Sequence, residues 1–406
     1  MATIGDLVHD AYNLFIEILH TECVITLVTF SQVNHFFHQR IRSYAIINKV
    51  KRKIRCSDYA LRGYLDLMKE AVECGQEIDH NTEGNAALNG HLEVLKWIRN
   101  RSLSIIINPI RVGNDDYVYS KLNPTVCANA ALNGHLHIIK WARSHGYQWN
   151  HKVCANAALN GHLEVLKWVR LHGCDWNSNA CANAAESGHL HILQWLRENG
   201  CRWDSWTCAY AAKNGHIEVL KWARSNDCKW NYNVCSLAAL NGHLEVLKWA
   251  KLNDCQWDSN TCANAAFNGH LEVLKWARSN GCRWDFNTCA NAALNGHLEV
   301  LKWAKSNGCR WDSNTCANAA LDGHLEVLKW ARFNGCDWSY DTCANAAING
   351  HLEVLKWARS HGCPLDSNVC ARLLKQKGTP EWSWEDIRKY LNELDVMMKY
   401  NLIINS

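Results

Sequence analysis

The chain has 406 residues, of which 48% are hydrophobic, 21 are cysteine and only 4 are proline, and its formal net charge is +4. This charge is too small to imply a general attraction to polyanions such as nucleic acids. The first ten residues lack the cationic start and apolar core of a secretory signal, and no apolar run approaches the roughly 20 residues that cross a membrane. We therefore expect an intracellular protein, in the cytoplasm or the nucleus, whose cysteines are reduced.

Residues 1–55 carry apolar side chains at helical spacing and are predicted to form two or three short helices. Their role has two interpretations. In the first, they cap the repeat array that follows. In the second, they form an F-box: the segment SQVNHFFHQRI resembles the Val-x-x-x-Phe end of that module, although Leu7-Val8 replaces its usual Leu-Pro opening. The resemblance implies contact with a ubiquitin-ligase adaptor through Leu14, Ile18, Leu27, Phe30, Val33 and Phe37.

Residues 56–378 consist of a sequence unit that repeats at a constant interval. A Gly-His pair recurs every 27 residues from His135 to His351. A fixed period of this length indicates a protein of stacked repeats. The first repeat, which begins at Cys56, is degenerate and has Tyr64 in the histidine column.

An insertion follows the second repeat. The interval from His91 to His135 is 44, whereas the interval from His135 to His162 is 27, so 17 extra residues lie within 99–125. In this segment Ser104–Ile107 and Tyr117–Tyr119 are rich in β-branched and aromatic residues and flank a Gly-Asn pair. The pattern predicts a small hairpin that projects from the stack.

Each repeat is predicted to form two short helices. In the repeat that begins at Cys262, Asp258 or Ser259 caps the first helix, Cys262–Phe267, and an Asn-Gly pair ends it because glycine tolerates the left-handed conformation. The second helix, HLEVLKWARS, is apolar over most of its circumference and would aggregate alone. Burial between neighbouring repeats removes this problem. We therefore predict an all-α fold, an α-solenoid of helix-turn-helix repeats.

Residues 379–406 are predicted to form a capping helix. Ser383-Trp384-Glu385-Asp386 has the pattern of a capping box, and apolar residues follow it on one face of a helix. Such a helix closes the core at the end of a repeat array.

The segment AAFNGHLEVLKWARSNG, at 265–281, resembles the helical part of the ankyrin repeat. Two differences from that family stand out. The Thr-Pro-Leu-His tetrapeptide is replaced by Asn-Thr-Cys-Ala at 260–263. The repeat is also shorter than the roughly 33 residues of the ankyrin repeat, which leaves little room for a β-hairpin finger. The chain is similar to the shortened, Trp-rich ankyrin-like arrays of large DNA viruses and protists. The resemblance implies a scaffold that binds proteins.

The cysteines recur in two columns of the repeat, one in the first helix and one after the second helix. Equivalent cysteines of neighbouring repeats are expected about 9–10 Å apart, which is too far for two of them to share a zinc ion. A cluster of Cys282, Cys289 and His297 across a repeat boundary is the one alternative. We predict core thiols, with no metal and no cofactor.

The repeated histidines and tryptophans are predicted to be structural. Each histidine begins a second helix, where its ring can bond backbone of a neighbouring turn. Trp284 lies between Arg283 and Asp285. Because a tryptophan ring can stack on a nucleobase, an RNA-binding solenoid is the alternative function. However, the charges of the repeat alternate in sign, unlike those of a phosphate-binding groove. We expect Trp284 to cover the core and its indole N–H to bond a loop carbonyl.

Positions that differ between repeats predict a binding surface on the open face of the first helices, the face of Asn264 and Phe267, and on the adjoining loop. Aromatic and aliphatic anchors dominate protein interfaces. The predicted partner-binding residues are Leu159, Glu186, Lys213, Tyr210, Leu240, Phe267, Leu294, Leu321, Ile348, Trp206, Tyr232, Phe286 and Tyr340. No catalytic constellation or phosphate loop is found, so we expect no enzyme but a scaffold for an unknown protein. An F-box in residues 1–55 would recruit that protein to a cullin-type ubiquitin ligase.

Overall fold

The structure is a computed structural model that describes residues 55–107 and 122–365, together with Asp386, Lys389, Tyr390 and Glu393. This part of the chain contains 22 helices and no strand, so the predicted all-α solenoid is confirmed. The predicted F-box contacts, residues 117–119 of the predicted hairpin and most of the predicted C-terminal capping helix lie outside the described residues.

Helices alternate between the first and the second position of the repeat. The first helices are α1 (Cys56–Arg62), α3 (Thr82–Leu88), α5 (Val126–Leu132), α7 (His151–Leu159), α9 (Ser178–Glu186), α11 (Ser205–Lys213), α13 (Asn233–Leu240), α15 (Ser259–Phe267), α17 (Phe286–Leu294), α19 (Asn314–Leu321) and α21 (Tyr340–Ile348). The second helices are α2 (Leu65–Glu73), α4 (Leu92–Ile107), α6 (Leu136–Ser144), α8 (Leu163–Leu171), α10 (Leu190–Glu198), α12 (Ile217–Ser225), α14 (Leu244–Leu252), α16 (Leu271–Ser279), α18 (Leu298–Ser306), α20 (Leu325–Phe333) and α22 (Leu352–Ser360).

Side-chain caps open several first helices. The Oδ1 of Asp258 accepts the backbone N–H of Asn260 at 3.1 Å, which confirms Asp258 as the cap of α15. The helix therefore begins at Ser259, three residues before the predicted start at Cys262, because the residues that follow the cap are already helical. The turn that ends α15 uses a left-handed glycine, since Gly269 has φ +75°.

The first half of the hairpin predicted in the insertion is wrong. Ser104–Ile107 form the last turn of α4, which runs for 16 residues. In the repeat of α16 the second helix stops before Gly281, which has φ +84°. Ser102 stands at that position in α4, where most repeats have glycine and two have aspartate in the left-handed conformation. Serine adopts that conformation less readily than either residue, so the helix continues. The hydroxyl of Ser102 instead donates to the carbonyl of Ile98 at 2.9 Å.

The chain divides into two compact bodies. Of the described residues, the first body holds those up to 157 together with 164–174, and the second holds 158–163 together with those from 175 onward. In the first body, α1 packs on α3 and α3 on α5; in the second, the first helices from α9 to α21 pack in sequence, each on the next. Every first helix of these rows also packs on the second helix that follows it. Each body is thus a stack of helix pairs, as the repeat period predicts.

The core of each repeat comes from one side of both helices. In α16, Val273, Leu274 and Ala277 are at most 3% exposed, and in α15 the small residues Cys262 and Ala265 are fully buried. Small residues allow the first helices to approach closely, and the larger aliphatic side chains of the second helices fill the space beside them.

Candidate protein-binding surface

Asparagines of the first helices join neighbouring repeats, and this corrects the predicted open face. The Nδ2 of Asn264 donates to the carbonyl of Ser236 at 3.1 Å, and the Nδ2 of Asn268 donates to the carbonyl of Leu240 at 2.7 Å. The bond of Asn264 recurs with Asn85, Asn129, Asn156, Asn291, Asn318 and Asn345 as donors. We call this column the asparagine ladder. Its residues hold the stack together, so they are not free for a partner.

The asparagine ladder is interrupted in two consecutive repeats. Tyr210 in α11 and Leu237 in α13 occupy its column, and both side chains are half-buried. Neither has the amide group that donates to the preceding repeat elsewhere. The second asparagine of each repeat keeps its role, because Asn214 and Asn241 still donate to carbonyls of the repeat before. The two repeats remain stacked, but each lacks one bond of the regular pattern.

A connected group of side chains surrounds Tyr210. The rings of Tyr210 and Trp206 lie 5.3 Å apart with an angle of 41° between their planes. The Nζ of Lys213 lies 5.8 Å from the centre of the Tyr210 ring and 3.1 Å from Oε1 of Glu186 on the neighbouring helix α9. Trp206 is 45% exposed. We call these four residues, together with Leu237 at the equivalent position of Tyr210 in the next repeat, the interrupted patch.

The other predicted partner-binding residues lie on the surface but not in one cluster. Four are exposed, namely Tyr232 (48%), Phe286 (45%), Tyr340 (77%) and Ile348 (47%). Five are half-buried, namely Leu159, Leu240, Phe267, Leu294 and Leu321. Tyr232, Phe286 and Tyr340 recur every second repeat at the N-terminal ends of their first helices. They therefore occupy equivalent exposed positions in alternate repeats.

The histidine column is structural, as predicted. The Nε2 of His216 donates to the carbonyl of Glu186 at 3.1 Å, and His351 makes the same bond to Leu321. The ring lies over the glycine turn of the preceding repeat, so that a Cβ added at Gly188 would lie 2.7 Å from Nδ1 of His216. Burial lowers the pKa of His297 below its ordinary value. The column therefore consists of groups that pack against, and bond to, the turn of the preceding repeat.

The loop tryptophans also pack inside the stack. The ring of Trp284 meets the ring of Trp303 in the next repeat edge to face, with 5.7 Å between centroids, and the guanidinium carbon of Arg278 lies 4.5 Å from the Trp284 ring. At Trp338, the equivalent of Trp284 two repeats later, the indole Nε1 donates to the carbonyl of His361 at 3.2 Å, a bond of the kind predicted for Trp284. These contacts stabilise the junction between repeats.

One set of exposed apolar residues was missed by the sequence reasoning. Leu171, Leu252 and Phe333 are 82%, 83% and 72% exposed, and each is the last residue of a second helix. Most regular repeats have serine there, as at Ser279. A column-by-column comparison of the second helices, like the one made for the first helices, would have found these departures from serine.

The cysteines do not form the cluster considered across the repeat boundary. The thiol of Cys282 instead donates to the backbone carbonyl of Asp258 at 3.4 Å. Within the described ranges, no group of three or more His, Cys, Asp or Glu is arranged to hold a metal ion. Nor does any described helix have the length and hydropathy needed to cross a membrane.

Comparison with known proteins agrees with the repeat pattern. Residues 154–234 match the family model of ankyrin repeats, in three copies. No curated protein matches the chain. Among solved structures, the crystal structure of the human ASB11 ankyrin repeat domain is similar at 15% identity and a TM-score of 0.34, covering 45% of this chain and 96% of that one. Residues 154–234 are therefore similar to ankyrin repeats, a type of repeat that indicates a scaffold for protein–protein interaction.

Proposed function

We propose that the scaffold binds a target protein through the first helices and the adjoining loops, with the interrupted patch at the centre of the interface. The observation that carries this proposal is the replacement of two ladder asparagines by Tyr210 and Leu237. A hydrogen bond of this kind contributes about 1 kcal/mol of net stability. The chain therefore lacks about 2 kcal/mol of stacking energy at the place where it presents an aromatic and an aliphatic side chain. A break in a local rule is typical of functional sites.

The composition of the interrupted patch favours a protein partner. Trp206 and Tyr210 offer rigid, partly exposed aromatic surface, which is enriched among the residues that dominate binding energy. Lys213 and Glu186 form an ion pair, so their charges cancel. Their side chains are 37% and 27% exposed, which leaves an ammonium donor and a carboxylate acceptor at the edge of the interrupted patch. An apolar centre with a polar rim is the usual anatomy of a protein interface.

The alternative of RNA binding is less well supported. It requires aromatic rings with a free face, and the loop tryptophans use theirs within the stack, as Trp284 does with Trp303 and Arg278. It also requires unpaired cations, but in most second helices one lysine pairs with the glutamate three residues before it, as Lys275 does with Glu272 at 2.8 Å.

We further propose that residues 1–55 act as an F-box, so that the bound protein becomes the substrate of a cullin-type ubiquitin ligase. The support for this step is the segment that contains Val33 and Phe37. Co-purification of the ligase adaptor with the full chain, and its loss when both residues are changed to alanine, is the expected result. An adaptor that stays bound to the double variant would contradict it.

The binding proposal is tested by restoring the ladder. Tyr210→Asn and Leu237→Asn give these two repeats the residue found in the others, so the fold is expected to persist while the anchors are lost. A partner that co-purifies with the wild-type chain should be lost from the double variant. The matched control is Asn291→Tyr, which interrupts the ladder at another repeat. If the double variant retains the partner with unchanged affinity, the interrupted patch is not the centre of the interface.

A further inference from the structure

Exposed cations recur along the loops of the second compact body. Each lies directly after the cysteine that follows a second helix, and all four side chains are exposed: Arg202, Lys229, Arg283 and Arg310. We call them the loop cations. Among the described residues, no carboxylate forms an ion pair with any of them. Gln256 holds the same position between Lys229 and Arg283, so the row has one neutral gap.

The loop cations carry the free positive charge of this body. Every other described lysine or arginine between residues 175 and 365 is engaged within the stack. These side chains pair with a glutamate, as Lys275 does, lie over a tryptophan ring, as Arg278 does, or, in the case of Arg359, donate to a backbone carbonyl. The charge of the loop cations is therefore available to a ligand.

The aspartates beside the loop cations limit the kind of anion that fits. The carboxylates of Asp285 and Asp312 each accept the backbone N–H two residues later, at 3.0 and 3.1 Å, where the start of a first helix offsets their charge. Asp227 and Asp254 are exposed beside the middle of the row. Because acidic groups alternate with the cations, the row suits separate carboxylates better than a continuous phosphate backbone.

Exposed aromatic side chains accompany three of the loop cations. Trp206, Tyr232 and Phe286 are each close to half exposed, and each lies three or four residues after a loop cation. Aromatic side chains of this kind bind proline-rich segments, which are already extended in the polyproline II conformation and lose little entropy on binding. Each of these three loops therefore presents one group for a carboxylate and one for a proline.

The spacing of the repeats favours the same conformation. Stacked helices lie about 9–10 Å apart, so loop cations of adjacent repeats are expected at that interval. A polyproline II helix has three residues per turn and rises about 3.1 Å per residue, so every third side chain lies on one face, about 9 Å from the next. In a β-strand, every third side chain alternates between faces, so half of the acidic groups would point away from the row.

We propose that the loop cations and the aromatic side chains beside them bind an acidic, proline-rich segment of the target in the polyproline II conformation. The segment has a carboxylate at every third residue and a neutral residue opposite Gln256. This inference rests on the proposed function, since it specifies the chemistry of the protein that the scaffold binds.

The probe is a fluorescent 13-residue peptide with glutamate at positions 1, 4, 10 and 13 and proline elsewhere. The pattern is symmetric, so it matches the row in either chain direction. Fluorescence anisotropy with the full chain at low ionic strength should show saturable binding that weakens as salt is added. A peptide of the same composition with its four glutamates consecutive should bind about tenfold more weakly, because it reaches fewer of the cations. A peptide with lysine in place of each glutamate should not bind.

Charge reversal tests the row within the protein. Arg283→Glu combined with Arg310→Glu should weaken binding of the peptide at least about tenfold, since an exposed ion pair contributes up to about fivefold and the new carboxylates also repel the peptide. The matched control, Lys275→Glu combined with Lys302→Glu, changes the net charge equally in the same repeats and should retain binding. Phe286→Ser, which introduces the residue of the neighbouring repeats, should weaken binding severalfold. Circular dichroism confirms that each variant is folded.

Several results would overturn the inference. Equal losses in the two charge-reversal variants would show that only net charge matters, and equal affinity for the two glutamate peptides would contradict the spacing. A single-stranded RNA oligonucleotide that binds more tightly than the peptide would indicate a nucleic-acid partner instead. Tyr210→Asn combined with Leu237→Asn should lose the co-purifying partner and still bind the peptide. A wild-type chain that fails to bind the peptide while this double variant loses the partner would overturn this inference and leave the proposed function standing.

Discussion

The contact between each histidine and the preceding glycine turn predicts a large effect of Gly269→Ala. Gly269 has φ +75°, and an alanine in the left-handed region costs about 1–2 kcal/mol. The added Cβ would also lie 2.6 Å from Nδ1 of His297, so the ring must move. Overpacking of this kind costs about 1–3 kcal/mol. The total expected loss is about 2–5 kcal/mol, measured as the free energy of unfolding in urea.

Gly281→Ala is the matched control. Gly281 has φ +84°, but no heavy atom lies within 4 Å of an added Cβ, so only the backbone cost of about 1–2 kcal/mol applies. The corresponding position tolerates other residues, since Asp227 and Asp254 stand there with φ 65° and 63°. Combining Gly269→Ala with His297→Ala should cost less than the sum of the two changes. Equal losses in Gly269→Ala and Gly281→Ala would refute the role of the histidine ring.

Three further predictions concern stability. Burial, followed by the imidazole of His191, lowers the pKa of His189. The unfolded chain therefore takes up the proton first, so urea midpoints should be constant above about pH 7 and decrease as the pH falls through 6.5. An increase at pH 5 would contradict this. Leu274→Ala, at a fully buried site, should cost about 2–5 kcal/mol, and Leu252→Ala, at a site 83% exposed, less than about 0.5 kcal/mol in the same assay. Lys213→Ala removes a half-exposed ion pair with Glu186 and should cost less than about 1 kcal/mol, with a smaller effect at high salt; a salt-independent loss above about 2 kcal/mol would show that the pair is not a surface ion pair.

Most of the fold follows from the sequence because the repeat supplies the same local signals many times. The Asn-Gly turns, the cap at Asp258 and the apolar second helix each act within a few residues, so their effect is visible in one repeat. The insertion was misread because β-branched residues at 104–107 favoured a strand, whereas the absence of a glycine at Ser102 let α4 continue.

The features that the sequence did not predict depend on the geometry between repeats. Asn264 is polar and was assigned to the open face, but its acceptor is a carbonyl in the preceding repeat, and only the packing of α13 on α15 brings the two groups together. The same holds for Cys282, whose thiol donates to the carbonyl of Asp258 in the loop before α15, 24 residues earlier in the chain. Comparing the repeats in sequence shows which residues occupy equivalent positions, but it does not show which groups of a neighbouring repeat lie next to them.

The most direct test of the binding surface is site-specific photo-crosslinking. A benzophenone-bearing amino acid replaces Trp206 in one variant and Glu272 in another; Trp206 belongs to the interrupted patch, and the carboxylate of Glu272 is an exposed group on a second helix. We predict that the co-purifying partner becomes covalently attached to the first variant and not to the second. A partner that crosslinks from position 272 and not from position 206 would contradict the account.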